Sequence, residues 1–542
     1  MSDNVNSKNG FLPEGSKRDK GRDAQRMNIM VAKAVANSIK STLGPRGMDK
    51  MLVDELGDTT ISNDGATILK EMSIEHPIGK MLVELAKTQD NEVGDGTTTA
   101  VIIAGELVSK AENLLDENIH PSIIVKGYKL ATDKAVKYFT ETSESISIKD
   151  KSLLLDIAKT SMTGKASEYS NTLSEIVVDG VLKIFKKEDI DREAIKIEKR
   201  IGGTLSDTKL VDGIVLDKEI VHSEMPREIK NAKIALINSA LEIKEPETDA
   251  KIEITSPDQL QSFIDQEEET LKKMVTHITS SGANVVICQK GIDDLASHYL
   301  AKKGILTIRR VKQSDIERIA KSTGAKIVTR INDINKNDLG IAAIVYEKKI
   351  ATEPMIFIEG TKNKGVSTIL LRGTGDQILA ETERTLTDAI GAVISSLRDG
   401  KYVAAGGSSE VEVALKLRDF ARTIGGREQL AIESYADVLE VIPKILAESA
   451  GLDAIDTIVS LRNKHHEKGG KHVGVDVVNS RIFDMKKLNV IEPLSVKTQA
   501  ITSACEVVEM ILRIDDIIAA SSKNKGMGMM APPGMQGGMD ME

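Results

Sequence analysis

The sequence has no tryptophan, and tyrosine and phenylalanine occur seven times each. With 3% aromatic residues, its cores must be built from aliphatic side chains. Cysteine is almost as scarce. Cys288 and Cys505 stand far apart with no CxxC between them, which excludes a disulfide framework and a cysteine zinc site. A basic excess is missing too: 73 Lys and Arg face 82 Asp and Glu, a net charge of −9. A surface that coats nucleic acid needs the opposite sign, so no nucleic-acid partner is expected. No apolar run approaches a membrane span, so no membrane partner is expected. The polar start, MSDNVNSKNGFLPEGSKRDKGRD, has no apolar stretch of signal-peptide type, and the expectation is a cytoplasmic chain.

Several familiar motifs are missing as well. GTKNKGVS (360–367) has the glycine spacing of a phosphate loop but Val366 where lysine belongs. No GxGxxG follows a strand, and neither GxSxG nor a kinase motif set occurs. His465 and His466 lack HExxH spacing and read as part of a solvated loop.

What remains is an ordinary globular composition, 40% hydrophobic and 29% charged, over 542 residues, enough for three or four domains. Val31, Val35, Ile39 and Leu43 recur at i+4 and predict a helix over 24–43, stopped by Gly44-Pro45. Further helices are predicted over 97–115 and 120–139. The middle of the chain alternates short β-branched runs (232–241, 283–289, 304–311) with helical patterns, as in an α/β domain. An acidic stretch at 242–278 interrupts it and turns into a helix with Leu260, Phe263, Ile264, Leu271, Met274 and Val275, which suggests an exposed arm. Helical patterns return at 376–400, 408–424 and 429–450. The last residues, GMGMMAPPGMQGGMDME, cannot bury a core and are expected to be disordered.

One stretch asks for a ligand. Gly94-Asp95-Gly96-Thr97-Thr98-Thr99-Ala100 opens the helix predicted over 97–115. A helix start offers unpaired N–H groups and the positive end of the dipole to phosphate, and two glycines allow close approach. Asp95 repels phosphate by itself but suits Mg²⁺, which takes one or two carboxylates together with phosphate oxygens. The same residues also serve as ordinary helix caps. Asp64, in ISNDGATIL, reads equally well as a hairpin turn, and Asp388 as a solvated carboxylate opposite the Leu386/Ile390/Val393/Leu397 stripe.

Taken together and in order, STLGPRGMDKML, TISNDGATIL, VGDGTTTAVIIAGEL, AKTSMTGK, AAGGSSEVEVAL and VIEPLSVK resemble the group II chaperonins, the thermosome and eukaryotic cytosolic chaperonin family, over essentially the full length. The resemblance implies an ATP-dependent chaperone that encloses unfolded proteins in two stacked eight-membered rings of identical or homologous subunits. It implies a multidomain fold with a nested chain path. A mainly α-helical equatorial domain (1–149 and 403–542) would bind nucleotide, and a small α/β intermediate domain (150–217 and 370–402) would act as hinge. An α/β apical domain (218–369) would hold substrate and carry 242–278 as a helical lid. Which apical side chains grip substrate stays open: Leu295, Tyr299, Ile316 and Ile319 lie on amphipathic helices and fit core packing as well.

The resemblance also implies the site. Gly96, Thr97, Thr98 and Thr99 would cradle the phosphates of ATP or ADP, and Asp95 would hold Mg²⁺. Thr42, Leu43, Gly44 and Pro45 would line the nucleotide, with Gly406 and Gly407 opposite and Glu492 near the ribose or base. Asp64 and Asp388 would be the catalytic carboxylates. Ser161 and Lys165 would approach from the SMTGK loop, Lys165 sensing the γ-phosphate. Judged on residues alone, a phosphotransferase with an unusual phosphate loop and a passive scaffold remain as alternatives.

Overall fold

The computed structural model describes residues 17–164, 169–185, 192–243, 257–363 and 365–519. Lys165, the acidic start of the 242–278 insertion from 244 to 256, and the Gly/Met-rich end lie outside the described residues.

The chain begins with β1 (Lys17–Lys20) and α1 (Arg22–Lys40), then a hairpin of β2 (Lys50–Val53) and β3 (Thr59–Ser62). Four helices follow: α2 (Gly65–Glu71), α3 (Pro77–Glu92), α4 (Thr97–Asp116) and α5 (Pro121–Thr142), with β4 (Glu144–Ser145) after them. Proline at the first position starts both α3 and α5, where its missing N–H costs nothing. Helix α1 stops at Lys40, one turn earlier than its apolar period predicts, so Leu43 falls in the turn that leads to Gly44-Pro45. The first half of α4 (Thr97–Gly105) is buried nearly all round, as a helix surrounded by others must be, and α1, α3 and two later helices (Gly426–Leu439 and Leu494–Arg513) pack against α4.

Next come α6 (Lys151–Ser161), α7 (Ser170–Ile184), β5 (Ile195–Ile201) and β6 (Lys209–Val211). A long α/β segment then holds β7 (Gly213–Leu216), β8 (Glu228–Ile237), α8 (Pro257–Ser280), β9 (Val285–Cys288) and α9 (Asp294–Lys302). It continues with β10 (Leu306–Ile308), α10 (Gln313–Thr323), β11 (Ile327–Val328), β12 (Gly340–Ile350) and β13 (Glu353–Thr361). Its sheet runs β10-β9-β8-β12-β13-β7, with β11 also beside β8. The β8-β9-β10 part is parallel and the β8-β12-β13-β7 part antiparallel. The chain returns through β14 (Ser367–Gly373), which pairs with both β5 and β6, and α11 (Asp376–Asp399).

The last segment holds β15 (Lys401–Ala404), α12 (Ser408–Ile424), α13 (Gly426–Leu439), α14 (Val441–Ser449) and α15 (Ala454–His466). β16 (Val473–Asp476), β17 (Arg481–Asp484), β18 (Ile491–Pro493), α16 (Leu494–Arg513) and β19 (Asp516–Ala519) complete it. β19 pairs antiparallel with β1, so the two ends of the described chain meet.

The fold is therefore multidomain, mostly helical, with several sheets. Its buried apolar side chains fall into three large clusters. One joins residues between Ile29 and Phe139 to residues between Val403 and Leu512. A second joins Ile146–Ile195 to Ile369–Tyr402, with Ile491. The third lies wholly between Ile214 and Val366.

Three readings of the sequence need correction. The helical pattern over 429–450 is two helices, broken at Glu440. The Glu440 side chain is fully buried between Arg418 and Arg462, whose guanidinium groups reach its oxygens at 2.7–2.8 Å. His465 is not in a solvated loop: it ends α15, its side chain is buried, and its ring nitrogens face Glu412 Oε2 at 2.9 Å and the Val473 carbonyl at 2.8 Å. Asp64 is not in a hairpin turn: the chain passes from β3 straight into α2, and Asp64 caps that helix.

On α8, Leu260, Phe263 and Ile264 are exposed while Leu271, Val275 and Ile278 are buried, so only the second half of this helix is packed into the α/β core. In the same core Ile316 and Ile319 are fully buried, Tyr299 is partly buried and Leu295 is exposed.

Candidate nucleotide site

Between α3 and α4 the chain turns through Gly94 (φ 83°) and Gly96 (φ 79°), both in the left-handed region that side chains rarely adopt. Space is as restrictive as conformation at Gly96, where a β-carbon would lie 2.7 Å from Val496 Cγ1. The buried Gln89 holds the turn by donating to the carbonyls of Asp95 (2.8 Å) and Val496 (3.3 Å). Asp95 Oδ1 accepts from the Gly96 N–H at 2.6 Å. Gly96 brings no side chain to cap α4, so the N-cap residue takes up none of that helix's first N–H groups, which lie beside the Thr97, Thr98 and Thr99 hydroxyls.

Asp95, Gly96, Thr97, Thr98 and Thr99 line one cavity of about 250 Å³. Thr42, Leu43, Gly44 and Pro45, from the turn after α1, form part of its wall. Gly406 and Gly407, both left-handed, at the start of α12, line it too. Gly407 is the N-cap of α12 and, like Gly96, offers no capping side chain, so two helix N-termini open on the same space. Asp64 reaches the cavity from the start of α2. Its Oδ2 caps that helix by accepting from the Thr67 N–H (2.9 Å), and its Oδ1 accepts from the Thr97 hydroxyl (3.1 Å).

Asp388 arrives from α11, whose apolar side packs in another cluster. From Ala389 to Ser396 every residue of α11 is buried, so the side opposite the apolar stripe is not a solvent face. It packs on the end of α3 and the Gly94 turn. Ser395 donates to the Val93 carbonyl (3.1 Å) and Arg398 to that of Glu92 (3.0 Å). Arg192 spans the joint, donating to the carbonyls of Asp90 (2.9 Å) and Thr387 (3.3 Å). Asp388 is half-buried at the cavity edge, which corrects its reading as a solvated carboxylate.

Ser161, the last residue of α6, also lines the cavity, and its hydroxyl is buried with no hydrogen-bond partner among the described residues. Lys165 lies outside the described residues. The residue before it, Gly164, rests on the cavity wall: a β-carbon there would be 3.2 Å from the Pro45 carbonyl oxygen.

Glu492, on β18, completes the set and brings a partner that motif reasoning missed. Lys497, at the start of α16, is buried and pairs with Glu492 (2.7 Å) and Glu410 (2.5 Å). Burial pushes the Glu492 carboxyl up to about 7, against the pull of Lys497. Burial disfavours the charge on Lys497, but the two carboxylates outweigh it and raise its pKa. Among the described lining residues Lys497 is the one basic side chain, against Asp64, Asp95, Asp388, Asp476 and Glu492. The signal was present, since Lys497 closes VIEPLSVK and Glu410 lies in AAGGSSEVEVAL. Their meeting across 87 positions was not visible without the fold.

This chemistry suits a polyphosphate carried with a hard cation. The carboxylates supply oxygen ligands of the type Mg²⁺ takes, while helix N-termini and hydroxyls supply donors for phosphate oxygens. Comparison with known proteins agrees. The family model described as the TCP-1/cpn60 chaperonin family matches residues 35–522. The chain is 58% identical over 533 residues to the thermosome subunit alpha of Archaeoglobus fulgidus, covering 97% of each chain. It is 57% identical over 520 residues to a thermosome subunit of Methanopyrus kandleri, covering 95% of each. A thermosome subunit of Pyrococcus horikoshii is 56% identical over 520 residues, 95% of this chain and 94% of its own. With more than half of its positions shared along nearly its whole length, the chain belongs to the TCP-1/cpn60 chaperonin family.

Proposed function

We propose that this chain is a subunit of a group II chaperonin, an ATP-dependent chaperone whose ATPase drives protein folding in a double ring. The single observation that carries the reading is the cavity itself: two uncapped helix N-termini and the carboxylates of Asp64, Asp95 and Asp388 around one space.

The residues divide the work as follows. The N–H groups of Gly96, Thr97, Thr98 and Thr99, with the Thr hydroxyls, hold the phosphates. Asp95 would hold Mg²⁺, which supplies charge neutralisation at the phosphates. Gly44, Pro45, Gly406 and Gly407 let backbone approach the nucleotide closely, and Glu492 faces its ribose or base. Asp64 and Asp388 orient and deprotonate the attacking water, the role a positioned carboxylate can fill. Because α11 packs in a different core from α4, Asp388 can be withdrawn or supplied by a small rotation between the two bodies. Ser161 ends α6, which packs in the same cluster as α11 and moves with it, and Lys165 senses the γ-phosphate.

On this reading 1–149 with 403–542 form the equatorial, nucleotide-binding domain, 150–217 with 370–402 the intermediate hinge, and 218–369 the apical domain that takes unfolded protein. The three apolar clusters support that division in outline, but Ile214 and Leu216 pack in the third cluster and β7 pairs with β13, so the apical part begins near 213 rather than 218. The first half of α8, with Leu260, Phe263 and Ile264 exposed, supports a lid over 242–278. The rings consist of identical or homologous subunits and work in the cytoplasm. No helix among the described residues is long and apolar enough to cross a membrane.

Light scattering on a sizing column tests the assembly. Sixteen copies of a 58.8 kDa chain give roughly 940 kDa for two closed rings. A particle of that order supports the reading. A monomer or dimer that Mg-ATP does not assemble, alone or with a related subunit, counts against it.

A further inference from the structure

The α/β core carries a second cluster of chemistry, remote in the chain from the nucleotide cavity. His222 and Glu224 lie in the turn between β7 and β8, and His298 lies on α9. Each offers one ligand atom, and the three atoms lie within 4.8 Å of one another. The two imidazole rings are 5.6 Å apart, inclined at 52°. Among the described residues, no other three His, Cys, Asp or Glu side chains are so placed.

The turn is fixed before any ligand arrives. Its N-terminal side is tied by the N–H of Ile220 to Glu347 Oε1 (2.9 Å) and the N–H of Val221 to the Thr307 carbonyl (3.1 Å). Its C-terminal side is tied by the Glu347 N–H to the Arg227 carbonyl (2.9 Å). Between them the Met225 N–H bonds the His222 carbonyl (3.1 Å), and the Met225 side chain is buried in the core. His298 is on a helix packed against β10 and α8. Both backbones are thus anchored, while Glu224 is exposed and can rotate.

We propose that His222, Glu224 and His298 bind a divalent transition metal of the zinc type. Two imidazoles and one carboxylate are a borderline donor set. Mg²⁺ and Ca²⁺ favour oxygen alone, whereas Zn²⁺ takes two His and one carboxylate and leaves a fourth position to water. Tetrahedral bonds near 2.0–2.1 Å put ligand atoms about 3.4 Å apart, so the cluster must tighten by roughly 1.4 Å or less. The backbone N–H of Glu224 now donates to His222 Nδ1 (3.2 Å), and the ion would displace that bond or require the other ring tautomer. Bound metal would staple the 217–227 turn to α9, at the base of α8.

The test uses the full-length chain stripped with chelator and titrated with Co²⁺ alone, whose visible absorption reports four-coordinate geometry, then with Zn²⁺ as competitor. The expected result is one equivalent per chain with a four-coordinate spectrum that Zn²⁺ removes. His298→Gln should weaken binding more than about 100-fold, beyond the 10–100-fold that loss of a supporting partner costs. Glu224→Gln, at an exposed position, should weaken it at least about tenfold with ATP hydrolysis unchanged. Wild-type affinity and spectrum in both variants would overturn the assignment. So would the absence of a stoichiometric four-coordinate complex in the unaltered chain.

Discussion

Gly94 and Gly391 meet backbone to backbone: a β-carbon on either would lie 2.8 Å from the Cα of the other. One belongs to the turn that presents Asp95, the other to α11, three residues after Asp388. The contact sets how closely the helix with one carboxylate approaches the loop with another, and no side chain fits between them.

Gly391→Ala should therefore act as a wedge. Overpacking of this kind costs about 1–3 kcal/mol, here charged to the closed arrangement of α11 on the loop. ATP hydrolysis should fall by about 5- to 150-fold, at 1.4 kcal/mol per factor of ten. Nucleotide binding, measured by equilibrium dialysis, should change little. Equal loss of both would mean that the substitution damages the phosphate loop itself.

Asp64 does two things, and they can be separated. Asp64→Asn keeps a good N-cap for the Thr67 N–H, whereas Asp64→Ala removes it at a cost of about 1 kcal/mol. Both should lose hydrolysis, and only the alanine variant should also lose thermal stability. An asparagine variant with normal turnover would reduce Asp64 to a cap.

Lys497 neutralises carboxylates that have no other cation among the described lining residues. Lys497→Met leaves Glu410 and Glu492 buried and uncompensated, a loss of about 3–5 kcal/mol. Adding Glu410→Gln and Glu492→Gln should restore much of it. Denaturant unfolding compares the variants, and a single variant as stable as the parent would show that the cluster is not held by charge.

Glu440 gives a pH dependence whose sign is fixed. Burial opposes its charge, but Arg462 and Arg418 outweigh burial and hold its pKa below the ordinary 4.5. The folded state thus prefers the ionised form. The stability this contributes is present above pH 4.5 and is lost as pH falls through the lowered value. Glu440→Gln should lower stability at pH 7 and flatten the acid limb of a stability-versus-pH curve. An unchanged acid limb would contradict the pairing.

Much of this was legible in the sequence because the signals are local. Gly96 and Gly407 mark the starts of α4 and α12, and apolar periodicity carries both helices to their ends. The break at Glu440 was not, because glutamate is a good helix former and the two arginines that bury it lie 22 residues away on either side. His465 looked solvated because its neighbours are polar, yet it is enclosed by Glu412 and the Val473 carbonyl. Asp388 looked solvated because a helical wheel shows one apolar stripe and cannot show that the opposite face meets another body.

The central claim is that Asp64 and Asp388, brought from separate elements, carry out hydrolysis in this cavity. The direct measurement is single-turnover hydrolysis of radiolabelled ATP by Asp64→Asn/Asp388→Asn, with nucleotide binding measured on the same sample. The account predicts near-normal binding and a rate lower by about 10²–10⁴-fold, the usual contribution of positioned acid–base groups. Hydrolysis at the unaltered rate with binding intact would contradict it.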